Sequence, residues 1–275
     1  MTIVCLDFMN AVHRARSGFL LGDNPVIFNF FRGLRAQVDQ FKPTRLYVVL
    51  EGHPAARHEV FADYKANRVV SEDDPKHAEL QKLFRQRDTI VDILSRHFPV
   101  SVVRHPTSEA DDTIVNLTKR SSSATDWTVL SSDSDFIQLV QDLPNVKLYN
   151  PIRKSFVEAP VDYNYLTWKS LRGDSSDNIP GIPGCGDKTA ARVAADPDLL
   201  EAYLSKPGVA QIFERNYELI KFADWSDEEA MQMTSSAPVQ DWGTVRYEFA
   251  AMGFQSMTSD TAWKKFTTSF NYLFN

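Results

Sequence analysis

The sequence predicts an α/β fold: a mostly parallel central sheet with helices on both faces. Three observations predict it. Short apolar runs at Thr2–Leu6, Arg45–Leu50 and Trp127–Leu130 have the length and composition of buried strands. Stretches of helical period alternate with them, and such alternation builds parallel sheets through right-handed crossovers. The runs also end on acids or acid-bearing turns, at the carboxyl ends where open α/β sheets hold ligands.

The elements follow in order. Thr2–Leu6 is a strand ending in Asp7, followed by Asn10, Arg14 and Arg16 on a helix or turn. Pro25–Phe41 places Ile27, Phe28, Phe31, Leu34 and Val38 near helical spacing. Arg45–Leu50 is a strand that stops at Glu51-Gly52. RHEVFADYKANR (Arg57–Arg68) mixes bases with Phe61 and Tyr64, and 69–87 is mostly charged. That segment reads as a solvated helix face or as a basic strap over a site. Leu83–Phe98 is an amphipathic helix and Val100–Val103 a strand. Thr107 opens a helix through Leu117, with Ser108 and Asp111 spaced as a capping box. Trp127–Leu130 leads into Ser131-Ser132-Asp133-Ser134-Asp135 and a helix through Val140, and Val146–Tyr149 is a further strand.

Leu171–Ala191, LRGDSSDNIPGIPGCGDKTAA, joins an acidic turn (Asp174, Asp177) to a glycine loop and a helix start. Glycines let a backbone approach a ligand closely, and a helix start favours anions. Beyond it, Leu199–Leu204, Val209–Phe222 and Val245–Ala251 read as helices, Met231–Gly243 as a loop, and TAWKKFTTSFNYLF as a helix whose aromatics pack.

Composition narrows the class. No run approaches a membrane span, and MTIVCLDFMN lacks the basic-then-apolar pattern of a secretory signal. Cys5 and Cys185 lie far apart and form no metal-binding spacing, so a reduced, cytoplasmic setting is expected. The net charge of −6 argues against nucleic acid only until it is located. Twelve acids against six bases from Asp196 onward account for all of it. The rest is balanced, and becomes net basic wherever metal neutralises acids.

Nine acids recur at strand ends and adjoining turns: Asp7, Glu51, Glu109, Asp111, Asp112, Asp133, Asp135, Asp174 and Asp177. Each has an ordinary explanation as a cap or turn residue, but all nine explanations are then needed together. Gathered in one cleft they repel by roughly 3 kcal/mol per pair at about 5 Å. Cations make such a cluster sustainable, and oxygen-only ligands suit Mg²⁺ or Mn²⁺ rather than zinc.

LDFMN, RHEVFADYKANR, EADD, SSDSDF, GDSSDNIPGIPGCGDKTA and RNYELI together resemble the 5′-nucleases. That family includes bacteriophage flap endonucleases and the 5′-exonuclease domain of bacterial DNA polymerase I. The resemblance runs from the first strand to about Ile220. It implies a PIN-like core at 1–160, with a helical arch at about 66–87 that passes the 5′ single strand. A helix–three-turn–helix element and a helical C-terminal region then occupy 161–275, packed with the core as one unit.

The resemblance also implies roles. Asp7, Glu109, Asp111 and Asp133 match ligands of a first metal; Asp112, Asp135, Asp174 and Asp177 match acids nearer a second. Lys65 matches the lysine at the scissile phosphate, Arg68 a base one turn on, and Tyr64 a base-stacking neighbour. Gly184, Gly186, Lys188 and Thr189 lie where duplex phosphates are held, beside a K⁺ site. Two Mg²⁺, replaceable by Mn²⁺, are the implied cofactors. The implied partner is DNA with a 5′ flap, nick or free 5′ end, and possible RNA–DNA hybrids, cut by a monomer in replication or repair. Chain length matches a free-standing phage-type enzyme. Glu51 departs from the usual aspartate; it is expected to remain a ligand or an acid just behind one, with looser geometry. Two rival readings stand: a non-cutting branched-DNA binding protein, and a nuclease acting mainly on RNA.

Overall fold

The computed structural model describes residues 2–18, 22–68, 70–71 and 73–274. Its central sheet has seven strands: β1 (Thr2–Asp7), β2 (Arg45–Leu50), β3 (Ser101–Arg104), β4 (Asp126–Leu130), β5 (Val146–Asn150), β6 (Ser155–Val157) and a two-residue edge strand at Thr234–Ser235. In space they run β6-β5-β4-β1-β2-β3, with the Thr234–Ser235 strand outside β3. The first five pair in parallel and the two edges antiparallel. The chain therefore winds outward from β1 in both directions, which makes the β1/β4 boundary a topological switch point.

Alternate residues of β1 serve two cores. Val4 and Leu6 face one side with Leu46 and Val48; Ile3 and Cys5 face the other with Val49, Trp127 and Val129. The first side is covered by α1 (Phe8–Arg16), α2 (Pro25–Phe41) and α4 (Lys76–His97), with the short α3 (Ala55–Val60) lying between β2 and α4 in the chain. The second is covered by α5 (Ala110–Lys119) and α6 (Ile137–Asp142). Burial on both faces is why the strands read as continuous apolar runs.

Beyond the sheet, α7 (Tyr165–Arg172), α8 (Asp187–Ala194), α9 (Pro197–Leu204) and α10 (Val209–Ile220) share a small core around Leu171, Ile182, Cys185, Ala190 and Val193. Between α7 and α8, strands β7 (Gly173–Asp174) and β8 (Ile179–Pro180) form a tight hairpin. Gly173 has φ +78, and a Cβ there would lie 2.3 Å from Gly181 N, so only glycine fits the crossing. The Thr234–Ser235 edge strand is β9 in chain order. Helices α11 (Asp227–Met231), α12 (Trp242–Ala251), α13 (Gln255–Thr258) and α14 (Asp260–Ser269) follow the module, with a 3₁₀ turn at Phe270–Phe274.

Two expectations change. The helix expected from Leu83 begins at Lys76. Its first turns are docked on the core: Glu79 pairs with Arg16 at 3.0 Å, Gln86 Oε1 accepts Val26 N–H at 2.9 Å, and Leu83 is buried. Val69 and Glu72 of the expected arch lie outside the described residues. The expected loop at Met231–Gly243 contains β9, created by pairing with Arg104 and Val103. The C-terminal helices pack on the sheet domain. Phe249, Phe254, Phe266 and Phe270 join Phe31 and Phe98 in the first core, with Phe98 and Phe270 ring centroids 5.1 Å apart. Their aromatic area builds a layer of the sheet domain itself. Among the described residues, no helix is long and apolar enough to cross a membrane.

Candidate metal centre and nucleic-acid interface

The site forms at the carboxyl ends of the central strands. Asp7 ends β1 and caps α1, its Oδ1 accepting Asn10 N–H at 3.0 Å. Its Oδ2 accepts the Ser131 hydroxyl at 2.8 Å. Asn10 in turn clamps the end of β4: its Nδ2 donates to Ser132 Oγ at 2.7 Å, and its Oδ1 accepts Ser132 N–H at 3.2 Å. Ser131 Oγ also accepts Asp133 N–H at 3.0 Å. The switch point thus holds Asp7 and Asp133 in one frame.

Glu51 follows β2, and its carboxylate turns inward to accept Ala110 N–H at 2.9 Å, at the first turn of α5. The expected Ser108–Asp111 capping box does not form. The N-cap is Glu109, whose own side chain makes no cap bond. An acid from the neighbouring strand satisfies the free helix donor instead, and the extra methylene of Glu51 supplies the reach.

The carboxylates repel. Burial raises Asp7 to about 6, helped by the charge on Asp133 and opposed by the Asn10 and Ser131 hydrogen bonds. Burial likewise pushes Glu51 up to about 7, with Asp7 and Glu109 adding repulsion. Asp111 is raised well above its ordinary value by burial and by Asp133, Asp7, Glu51 and Glu109 together. Asp133 is raised by burial and Asp174, against the pull of Lys169. These four acids share one electrostatic centre.

Cations of the chain sit among the remaining acids. Burial opposes the charge of Glu109, yet Arg57 and Lys65 hold its pKa below the usual range. Lys65 Nζ lies 2.6 Å from Glu109 Oε1 and 3.7 Å from Asp177 Oδ2, and Arg68 pairs with Asp177 Oδ1. Lys169 contacts Asp135 and lies 2.6 Å from Asp174 Oδ2. Burial would raise Asp174, but Lys169 and Ser176 bring it to about 2. Among the described residues no three acid, histidine or cysteine side chains already stand in a metal-binding arrangement. The donor set nevertheless fits a hard divalent cation: every candidate donor is a carboxylate oxygen, and the central ones are held against their mutual repulsion.

Two expected site residues are placed elsewhere. Tyr64 is 2% exposed, packed with Ile179, Leu219 and Ile220, and its hydroxyl donates toward Glu109 Oε2 at 3.2 Å. Its ring is not available to stack on a base. Asp112 is 4% exposed, and its Oδ1 accepts Ala223 N–H at 2.8 Å and Arg57 Nη2–H at 2.9 Å. One residue along a helix is a rotation of about 100°, which carries Asp112 away from the centre that Asp111 faces.

The acidic turn is fixed from outside. Lys65 N–H donates to Asp177 O at 3.0 Å, and Asn178 Nδ2 donates to Asp63 O at 2.8 Å. Lys65 itself has φ 54, a left-handed backbone held by these bonds. The loop that follows is open: Gly184, Gly186 and Lys188 are exposed, Thr189 is partly so, and Gly184 has φ +76. Gly186 is the N-cap of α8.

Lys169 is a site residue that the sequence motifs do not include. Its signal is a lysine on the buried face of α7, four residues after buried Tyr165, where an apolar residue is the ordinary choice.

A family model described as the N-terminal resolvase-like domain of 5′-3′ exonucleases matches residues 9–166. DNA polymerase I of Treponema pallidum (strain Nichols) is 32% identical over 212 residues, covering 70% of this chain and 20% of that protein. A 5′-3′ exonuclease of Bacillus subtilis (strain 168) is 29% identical over 214 residues, covering 72% of this chain and 68% of the relative. The chain thus spans about a fifth of the polymerase it matches. The bacteriophage T5 D15 flap endonuclease, solved with DNA and metal ions, shares the fold over both whole chains at TM-score 0.61 and 14% identity. T5 5′-exonuclease with bound zinc gives TM-score 0.61 at 15% identity, over 99% of this chain and 100% of that one.

Proposed function

The chain belongs to the 5′-3′ exonuclease family, and from that premise we propose that it is a structure-specific, metal-dependent 5′-nuclease hydrolysing DNA phosphodiesters by exonuclease and flap-endonuclease action. One observation carries the reading: acids from the ends of β1, β2 and β4 and from the start of α5 share one centre, where burial, with repulsion from neighbouring acids added to it, raises Asp7, Glu51, Asp111 and Asp133.

Asp7, Glu51, Glu109, Asp111 and Asp133 would hold one divalent cation, with Asp135, Asp174 and Asp177 beside a second. Mg²⁺ fits such donors, Mn²⁺ can replace it, and bound there the ions supply charge for a water nucleophile and a departing 3′ oxygen. The chain's own residues do the rest. Lys65 and Arg68 reach the centre from a segment pinned to the acidic turn, so their charge meets the scissile phosphate where negative charge develops. Were Glu109 and Asp177 to hold cations, Lys65 and Arg68 would be free for substrate. The exposed loop with Gly184, Gly186, Lys188 and Thr189 grips duplex phosphates without reading bases, and K⁺ beside it belongs to the same reading. Cleavage leaves 5′-phosphate and 3′-hydroxyl ends. The protein acts as a monomer on flaps, nicks and free 5′ ends in replication or repair.

The test is a time course on 5′-flap DNA labelled separately at its 5′ and 3′ ends, with Mg²⁺ or EDTA. A flap released whole marks endonuclease action and mononucleotides mark exonuclease action. An RNA–DNA duplex run in parallel reports any 2′-hydroxyl preference. No product with Mg²⁺ sinks the nuclease reading in favour of a binding protein.

A further inference from the structure

Behind the acids, α5 presents a second stripe. Asp112, Asn116 and Arg120 stand four residues apart on one helix face. All three bond the segment that leaves α10. Asp112 Oδ1 accepts Ala223 N–H at 2.8 Å. Asn116 Nδ2 donates to Ala223 O at 2.7 Å, and its Oδ1 accepts Trp225 N–H at 3.1 Å. Arg120 donates to Trp225 O and pairs with Asp227 Oδ1 at 2.7 Å. His105 stacks on Trp225 with ring centroids 4.2 Å apart. The exit from the α7–α10 module is thereby zipped along the helix that Glu109 precedes as N-cap and whose first turn carries Asp111.

Arg57 closes the acid end of this zipper. Its Nη1 donates to Glu109 Oε2, and its Nη2 donates to Asp112 Oδ1 at 2.9 Å and to Lys221 O at 3.4 Å. Burial works against its charge, but Asp112 and Glu109 more than compensate and keep it protonated. Because the other oxygen of Glu109 faces Lys65, Arg57 sets the orientation of that carboxylate. A guanidinium has the fixed fork needed to join two carboxylates and a carbonyl at once; an ammonium does not.

We infer that Arg57 is a positioning residue that locks the duplex-holding module in register with the acid-bearing helix, and so selects which phosphodiester is cut. This rests on the nuclease reading. The duplex grip of that reading lies in the loop between β8 and α8; one path from it to the acids runs through Asp177 to Lys65 and Glu109, and a second runs through α7 and α10 to Lys221, Arg57 and Glu109. Misplacement by about 1 Å along such a path can cost about 100-fold in rate.

The experiment uses the full chain with Arg57→Gln, Arg57→Lys and Asn116→Ala. Each is assayed for thermal midpoint, for flap-DNA affinity in Ca²⁺, and for single-turnover cleavage in saturating Mg²⁺ with products mapped to the nucleotide. For Arg57→Gln the expected result is affinity within about twofold of wild type, a rate lowered about 10- to 100-fold, and cuts spread from one bond to its neighbours. Arg57→Lys does not restore the single cut. Asn116→Ala, which leaves every group on Glu109 in place, spreads the cuts with a smaller loss of rate. A folded Arg57→Gln that cuts the wild-type bond at the wild-type rate overturns the inference. So does a rate loss that merely tracks the thermal midpoint while the cut stays single. If Arg57→Gln does not fold, a single wild-type cut by Asn116→Ala overturns it. A wild-type chain that makes no cut in Mg²⁺ is a different failure, of the nuclease reading and this inference together.

Discussion

Lys169 Nζ lies 2.6 Å from Asp174 Oδ2 on a side chain only 4% exposed, and the same ammonium contacts Asp135. A buried lysine between two acids does without metal what a divalent cation would otherwise do there. Removing it leaves two like charges in a poorly solvated place, a change that typically costs about 3–5 kcal/mol. Lys169→Met should therefore unfold at lower urea in EDTA. Mg²⁺ should return much of the loss, because the cation substitutes for the ammonium. Equal destabilisation with and without Mg²⁺ would show that Lys169 neutralises no cation-accessible acids.

Asp111 and Asp112 are adjacent but should respond oppositely. Asp111 is raised by burial and by four other acids, so Asp111→Asn removes repulsion. The metal-free variant should gain on the order of 1–3 kcal/mol at neutral pH, yet lose Mg²⁺-dependent cleavage. Asp112 serves Arg57 and Ala223 N–H, so Asp112→Ala should lose about 1–3 kcal/mol through unpaired buried partners. Mg²⁺ should not restore it. Urea melts of both variants with and without Mg²⁺ decide the assignment; a matching response from the two would refute it.

The contrast between those neighbours marks how much the sequence reveals. The five parallel strands are legible because the centre of each is buried on both faces and mostly apolar. Asp7, Glu51 and Asp133 are legible because strand ends are where such folds place ligands. Asp112 misleads because the helix begins at Ala110 rather than Thr107 and EADD does not show which acid faces the centre, while one residue turns a side chain by about 100°. Tyr64 misleads because its hydroxyl is claimed by Glu109 and Asp177, partners far away in sequence. Lys169 is missed because only assembled acids make a lysine acceptable on a buried face. β9 is two residues long and exists by virtue of its pairing with β3.

Metal-free stability should depend on pH with an unusual sign. Asp7 is raised to about 6 and Glu51 to about 7, so the folded chain binds protons that the unfolded chain has released above about pH 4. The native state then holds more protons, and stability falls as pH rises from about 4 to about 7. Asp174, lowered to about 2, acts oppositely, losing its contribution as pH falls from about 4 toward 2. In EDTA the denaturation midpoint should be higher near pH 5 than near pH 8, and Mg²⁺ should shift the optimum upward. A midpoint that climbs from pH 5 to 8 in EDTA would contradict the shared acid centre.

The grip should be separable from the cut. Lys188 is exposed at the start of α8, beyond the bonded network of acids, and the neighbouring Gly184 and Gly186 are open to solvent. A cation there can contribute one phosphate contact, and each such contact releases about 0.9 counterion from B-form DNA. Lys188→Ala should therefore weaken duplex binding equally on unrelated sequences and lower the slope of log affinity against log salt by about one. The bond that is cut should not move, because the link from α10 through Lys221 to Arg57 is untouched. Affinity measured at several salt concentrations on two sequences, with products mapped from the same preparations, tests all three points. A loss confined to one sequence would mean that this loop reads bases, and an unchanged salt slope would mean that Lys188 meets no phosphate.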